Sequence, residues 1–142
     1  MGNQEQEYES EPVEMLYKIP LAVSEIAWNG EHMYYFIAKQ AENLVKCVGD
    51  IKRIDFGREI SSVTCTFDGH IKLTANQTRI FCVDRSSLHI FDENMILQQK
   101  ISCPDFERAD SISCSFDGSV AILTNNNIFF SFSFDSNTLK YV

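Results

Sequence analysis

The chain has 142 residues, 44% of them hydrophobic and 23% charged, the balance of a single globular domain with a buried core rather than of a disordered chain. Its formal net charge is −8, and Glu5, Glu7, Glu9, Glu11 and Glu14 crowd the N-terminus without a Lys or Arg among them; no basic stripe is present to neutralise phosphates, which argues against nucleic-acid binding. No apolar run long enough to span a membrane and no secretory leader is found, and the 5 cysteines are odd in number and widely spaced, so reduced thiols and a cytoplasmic location, with the nucleus as the alternative, are expected.

In chain order, residues 1–12 are polar and acidic and read as a disordered tail. Val13 to Ile19 is a short strand stopped by Pro20, which cannot donate to a sheet ladder. Ser24 to Trp28 alternates before an Asn29-Gly30 hairpin turn, and His32 to Ala38 is its partner. Leu44 to Val48 is a third strand, Gly49-Asp50 a turn, and Ile51 to Ile54 a fourth. Val63 to Phe67, Ile71 to Thr74, Ile80 to Val83, Leu88 to Phe91 and Ile96 to Ile101 follow, separated by turns at Asp68-Gly69, Asn76, Arg85-Ser86 and Asp92 to Asn94. Of these, Ile80 to Val83 and Leu88 to Phe91 compete for the third place in their unit. Ile112 to Phe116, Val120 to Leu123, Ile128 to Phe134 and Leu139 to Val142 close the chain. No segment holds a helical period; the fold is all-β.

The chain also repeats itself. Ser62-Val63-Thr64-Cys65-Thr66-Phe67-Asp68-Gly69 returns as Ser111-Ile112-Ser113-Cys114-Ser115-Phe116-Asp117-Gly118, and upstream Asp55-Phe56-Gly57-Arg58 returns as Asp105-Phe106-Glu107-Arg108. Such a period marks stacked supersecondary units. It predicts that Val63, Cys65 and Phe67 and their counterparts Ile112, Cys114 and Phe116 face the core from equivalent strands.

Ser62-Val63 running to Asp68-Gly69, followed by Leu88-His89-Ile90-Phe91-Asp92, resembles the tryptophan-aspartate (WD) repeat family of β-propellers, with Phe91-Asp92 standing where that family has Trp-Asp. The family's Gly-His before the inner strand, which contributes to a structural hydrogen-bonded tetrad, is read as absent from all three units. The resemblance implies an incomplete β-propeller of about three four-stranded antiparallel blades over residues 13–142. The blades are expected at about 21–54, 61–101 and 110–142, with 13–19 an extra outer strand. Three blades do not close a ring, so the chain is expected to be part of a longer protein or completed by a partner. An open β-barrel or sandwich is the alternative architecture. Two uncovered blade faces and the uncharged run Ile128 to Phe134 predict association, with a partner or with a second copy.

For chemistry the residues offer little. His32, His70 and His89 stand apart from other ligands, and Asp55-Phe56-Gly57 spells a magnesium-binding tripeptide of kinases without the Gly-rich loop or catalytic loop that would accompany it. No catalytic residue, cofactor or metal is expected, and the chain is read as a non-enzyme. The repeated Asp-Phe-x-Arg supplies the candidate binding residues: Phe56 and Phe106 as apolar anchors, Arg58 and Arg108 as an anion-binding pair. The alternative is that Asp and Arg satisfy each other while the Phe caps the core. The expected function is a non-catalytic protein–protein interaction scaffold within a larger assembly. A recognition module for acidic or phosphorylated peptides is the alternative.

Overall fold

A computed structural model describes residues 23–41, 46–102, 109–133 and 138–141. Strands β1 (Glu25–Trp28), β2 (Met33–Ala41), β3 (Lys46–Asp55) and β4 (Arg58–Asp68) form one antiparallel sheet in that order. A second contains β5 (Lys72–Ala75), β6 (Arg79–Val83), β7 (Ser87–Asp92) and β8 (Leu97–Ser102), and a third β9 (Ala109–Cys114), β10 (Val120–Thr124), β11 (Phe129–Ser133) and β12 (Thr138–Tyr141). Each sheet is an up-and-down meander, and the chain steps from the last strand of one to the first strand of the next. The first strands lie side by side, β5 between β1 and β9. This is the arrangement of propeller blades around an axis, and no barrel closes among the described residues. The expected strand Val13 to Ile19 lies outside them.

Packing explains why the sheets stack. Ala27, Tyr34, Phe36, Ile51 and Phe67 of the first sheet meet Leu73, Ile80, Cys82 and Phe91 of the second in one core. Phe81, Val83, Leu88 and Ile90 face the other way, onto Val120, Ile122, Phe130 and Phe132 of the third sheet. The middle sheet is therefore covered on both faces, and its sequences Arg79-Ile80-Phe81-Cys82-Val83 and Ser87-Leu88-His89-Ile90-Phe91 lose the alternation of half-exposed strands. The third sheet keeps it: Phe130 and Phe132 are buried while Phe129 and Ser131 are exposed. Its outer face also carries Ser111 and Ser113, and the uncharged run expected to drive association buries alternate phenylalanines.

The blade boundaries differ from those expected, and the difference begins at Gly49-Asp50. These residues form no turn; β3 runs straight through them, Gly49 opposite Ala38 and Asp50 opposite Ile37. The glycine is required by close approach, since a Cβ there would lie 2.5 Å from the Ile37 carbonyl oxygen and collide with the Phe36 ring. Asp50 is buried but satisfied, by the Thr64 hydroxyl at 2.7 Å and Lys39 at 3.1 Å. The hairpin falls instead at Phe56-Gly57, and the segment from Ser62 to Phe67 becomes part of β4, the fourth strand of the first sheet. Its copy from Ser111 lies in β9, the first strand of the third sheet, so the two repeats are not equivalent strands. Phe67 is buried, Val63, Cys65, Ile112 and Cys114 are half-buried, and Phe116, in the β9–β10 turn, is 83% exposed.

With this register Asp68-Gly69 is a connector between sheets rather than a hairpin, and Gly69-His70 comes directly before the inner strand β5. That is where the WD family has Gly-His, but His70 is exposed. The polar lock of this connector comes from Asp84 in the β6–β7 turn. One carboxylate oxygen accepts from the amides of Ser86 and Ser87 at 3.0 and 2.8 Å, the other from the Asp68 amide and from His89 Nε2, both at 3.0 Å. The His89 ring meets the edge of Phe67 at 5.0 Å between centroids. Burial pushes the Asp84 pKa up, but the bonds from His89, Asp68 and Ser86 outweigh it and hold the carboxyl below its ordinary value. A depressed folded-state pKa contributes stability that is present above the unfolded value, about 4, and lost as pH falls through the folded value. Urea unfolding of the Asp84→Asn variant is expected to show a loss of about 1–3 kcal/mol at neutral pH and a flatter acid limb than the wild-type chain; superimposable pH profiles would refute the lock.

Candidate interaction surface

At the other end of the blades the turns are joined by side chains that each do two tasks. In the β1–β2 turn the side-chain oxygen Oδ1 of Asn29 accepts from the amides of Glu31 and His32 at 2.9 and 2.7 Å, capping its own turn. Its amide nitrogen donates 2.9 Å across to the backbone carbonyl of Asn76, in the β5–β6 turn of the next sheet. Asn76 repeats the arrangement, with Oδ1 accepting from Thr78 and Arg79 and Nδ2 donating 3.1 Å to the Ser115 carbonyl in the β9–β10 turn. Gln77 Nε2 returns a bond of 2.8 Å to the Asn29 carbonyl. An amide side chain can accept from its own turn through its oxygen and donate to a neighbour through its nitrogen. The ladder stops at Ser115, whose hydroxyl bonds within its own turn, to Asp117 and Ser119.

Further out on the same end, β3 and β4 are joined by the two residues Phe56 and Gly57, at φ of 52° and 78°, with Asp55 opposite Arg58. Positive φ at both centre positions is the hairpin turn that favours Asn-Gly. Asp55 is held by Arg53, Nη2 to Oδ2 at 2.8 Å, and by His32 Nδ1 at 2.8 Å; Arg53 also donates to the Glu93 carbonyl of the β7–β8 turn at 3.3 Å. The Arg53 bond, helped by His32, holds the Asp55 carboxyl below its usual value against the opposing effect of burial. Arg53, held by Asp55 and His32, thus ties two sheets together toward their outer edge as the asparagines do at the inner one.

Of the residues expected to bind, Phe56 is completely exposed at the hairpin tip, and Arg58 is exposed beside it with no acidic partner among the described residues. Asp55 pairs with Arg53 rather than with Arg58, and Phe56 caps no core, so in this copy of Asp-Phe-x-Arg the mutually satisfied alternative does not hold. Phe106 and Arg108 lie outside the described residues. Sequence reasoning passed over Asn29 and Asn76, read only as turn residues, and Trp28, which is 63% exposed at the end of β1.

The remaining groups are chemically quiet. Burial raises the thiols of Cys47, Cys82 and Cys114, and burial with the nearby Asp50 carboxylate pushes Cys65 up to about 11, so none is a ready thiolate. Among the described residues no three His, Cys, Asp or Glu side chains gather in a metal-binding group.

The three meanders and their adjacent inner strands define the class: an all-β, propeller-like module. No family model matches the chain, and no curated protein matches it. Among solved structures the chain is similar to the crystal structure of HIRA(644-1017), with 11% sequence identity and a TM-score of 0.59, over 91% of this chain and 42% of that one. The likeness is one of fold, and this chain spans less than half the length of that structure.

The ladder has a direct test in Asn76→Asp, which keeps the oxygen that caps the turn and removes the nitrogen that reaches Ser115. Chemical denaturation is expected to show a loss of about 1 kcal/mol, the net worth of a part-buried hydrogen bond. An unchanged midpoint would mean that the turns stack without this bond.

Proposed function

We propose that the chain is a non-catalytic protein–protein interaction scaffold built from WD-like blades and working within a larger assembly, in the cytoplasm or alternatively the nucleus. The observation that carries this is Phe56. A bulky residue at left-handed φ costs ~1–2 kcal/mol, and here the side chain recovers nothing by burial. A residue that breaks both the turn rule and the burial rule is one kept for something outside the fold. The free cysteines among the described residues suit a reducing compartment. The remaining blades or a protein partner would complete the propeller, with a second copy of the chain as the alternative.

A second reading, recognition of an acidic or phosphorylated peptide, is favoured by the release of Arg58 from Asp55. It needs Arg108 on the same surface.

Affinity capture compared between the wild-type chain, Phe56→Asn, and Arg58→Ala with Arg108→Ala separates these readings. The scaffold reading expects proteins retained by the wild type and lost with Phe56→Asn, while thermal unfolding stays the same or rises because Asn suits the turn. The acidic-peptide reading expects the double arginine variant to lose them in a salt-sensitive way. Identical retention by all three chains would remove both readings from this hairpin.

A further inference from the structure

Most of the exposed large apolar side chains gather at one end of the blades. Trp28, Phe56, Ile96, Leu97 and Phe116 all adjoin the β1–β2, β3–β4, β7–β8 or β9–β10 turns; Leu123 and Phe129 flank the β10–β11 turn at the opposite end. These tips do not wander independently. Asn29, next to Trp28, is bonded to Asn76, and Asn76 to Ser115, next to Phe116. Asp55, next to Phe56, is bonded to Arg53, and Arg53 to Glu93. The aromatic tips therefore stand on one cross-linked platform.

The charge on that platform is one-sided. Glu31, Glu93 and Asp117 are exposed there without a Lys or Arg partner among the described residues, while Lys52 is taken by Glu59 and Arg53 by Asp55. Arg58 is the exposed exception, and Arg79, half-buried at the start of β6, is engaged with Thr78. Lys39, Lys46, Lys72 and Arg85 belong to the other end, at the β2–β3, β4–β5 and β6–β7 connections. An occupant with the same sign is repelled, which disfavours the chain's own segment of Glu5, Glu7, Glu9, Glu11 and Glu14 and the same end of a second copy.

Resting on the scaffold reading above, we infer that this end docks a cationic, extended segment of a partner protein, its Arg or Lys side chains lying over Phe56, Trp28 and Phe116 and its charge answering Glu31, Glu93 and Asp117. A guanidinium over an aromatic face gains from both the ring quadrupole and the apolar contact. Exposed aromatic anchors on a rigid support carry most of the energy of such contacts.

Trp28 is the chain's single tryptophan, so the surface reports on itself. The full chain is titrated with a synthetic peptide of alternating Arg and Leu and, separately, with its counterpart of alternating Glu and Leu, following Trp28 fluorescence. The expected result is a saturable blue shift with the Arg peptide alone, weakened by added salt, and at least tenfold weaker (about 1.4 kcal/mol) in Phe56→Asn, whose thermal unfolding is not lowered. No shift with the Arg peptide, an equal shift with the Glu peptide, or full affinity in Phe56→Asn would each overturn the proposal. Binding of the Glu peptide alone would do so while leaving an interaction role intact; the capture experiment above decides that role separately.

Discussion

The structure depends on one constraint: the middle sheet is covered on both faces. β6 and β7 send Ile80, Cys82 and Phe91 to one core and Phe81, Val83, Leu88 and Ile90 to the other. Neither flanking sheet can leave without exposing one of those rows to water, at about 25 cal/mol for each Å² of apolar surface. A lone four-stranded meander has no second layer to cover either of its faces. The order of the sheets, the adjacency of β1, β5 and β9, and the rigidity of the turns at either end follow from stacking on this central layer.

Stacked sheets bring turns close together, and close turns contain backbone groups that water cannot fully reach. The chain answers with side chains that have the right number of donors and acceptors: amides at Asn29 and Asn76, where one group must accept and donate, and a carboxylate at Asp84, where four donors converge. These bonds hold the blade ends in fixed relation. A rigid end is what allows exposed groups such as Phe56 and Trp28 to be offered to a partner without a large ordering cost on binding.

Much of this was legible before any coordinates. Alternation, turn dipeptides and the absence of a helical period marked the chain as all-β, and the count of three four-stranded units was correct in number. The boundaries were not, for a local reason. Gly49-Asp50 has the composition of a turn, but the glycine is there because Phe36 lies against it, and the aspartate because Thr64 and Lys39 receive it. Both causes are tertiary and invisible in the string. Reading that pair as a turn made Ser62 to Phe67 an inner strand and left five candidate strands for the four places of the second unit, while the strands of the third unit kept their places. Conversely, Phe56-Gly57 was not read as a hairpin because Phe is a poor choice for that turn, the same anomaly that marks it as a binding residue. Asn29 and Asn76 carry the composition of turns, and nothing in their spacing announced that their amides cross to the next sheet.

Native-state hydrogen exchange tests the central claim most directly, because burial on both faces is a statement about which amides open last. The amides of β6 and β7 are expected to exchange only through global unfolding, with free energies matching that from denaturant titration, while β4, β8 and the turns exchange through smaller openings. Faster exchange in β6 and β7 than in β2 and β3 would contradict the account, since it would place the middle sheet at an edge rather than at the centre of the stack.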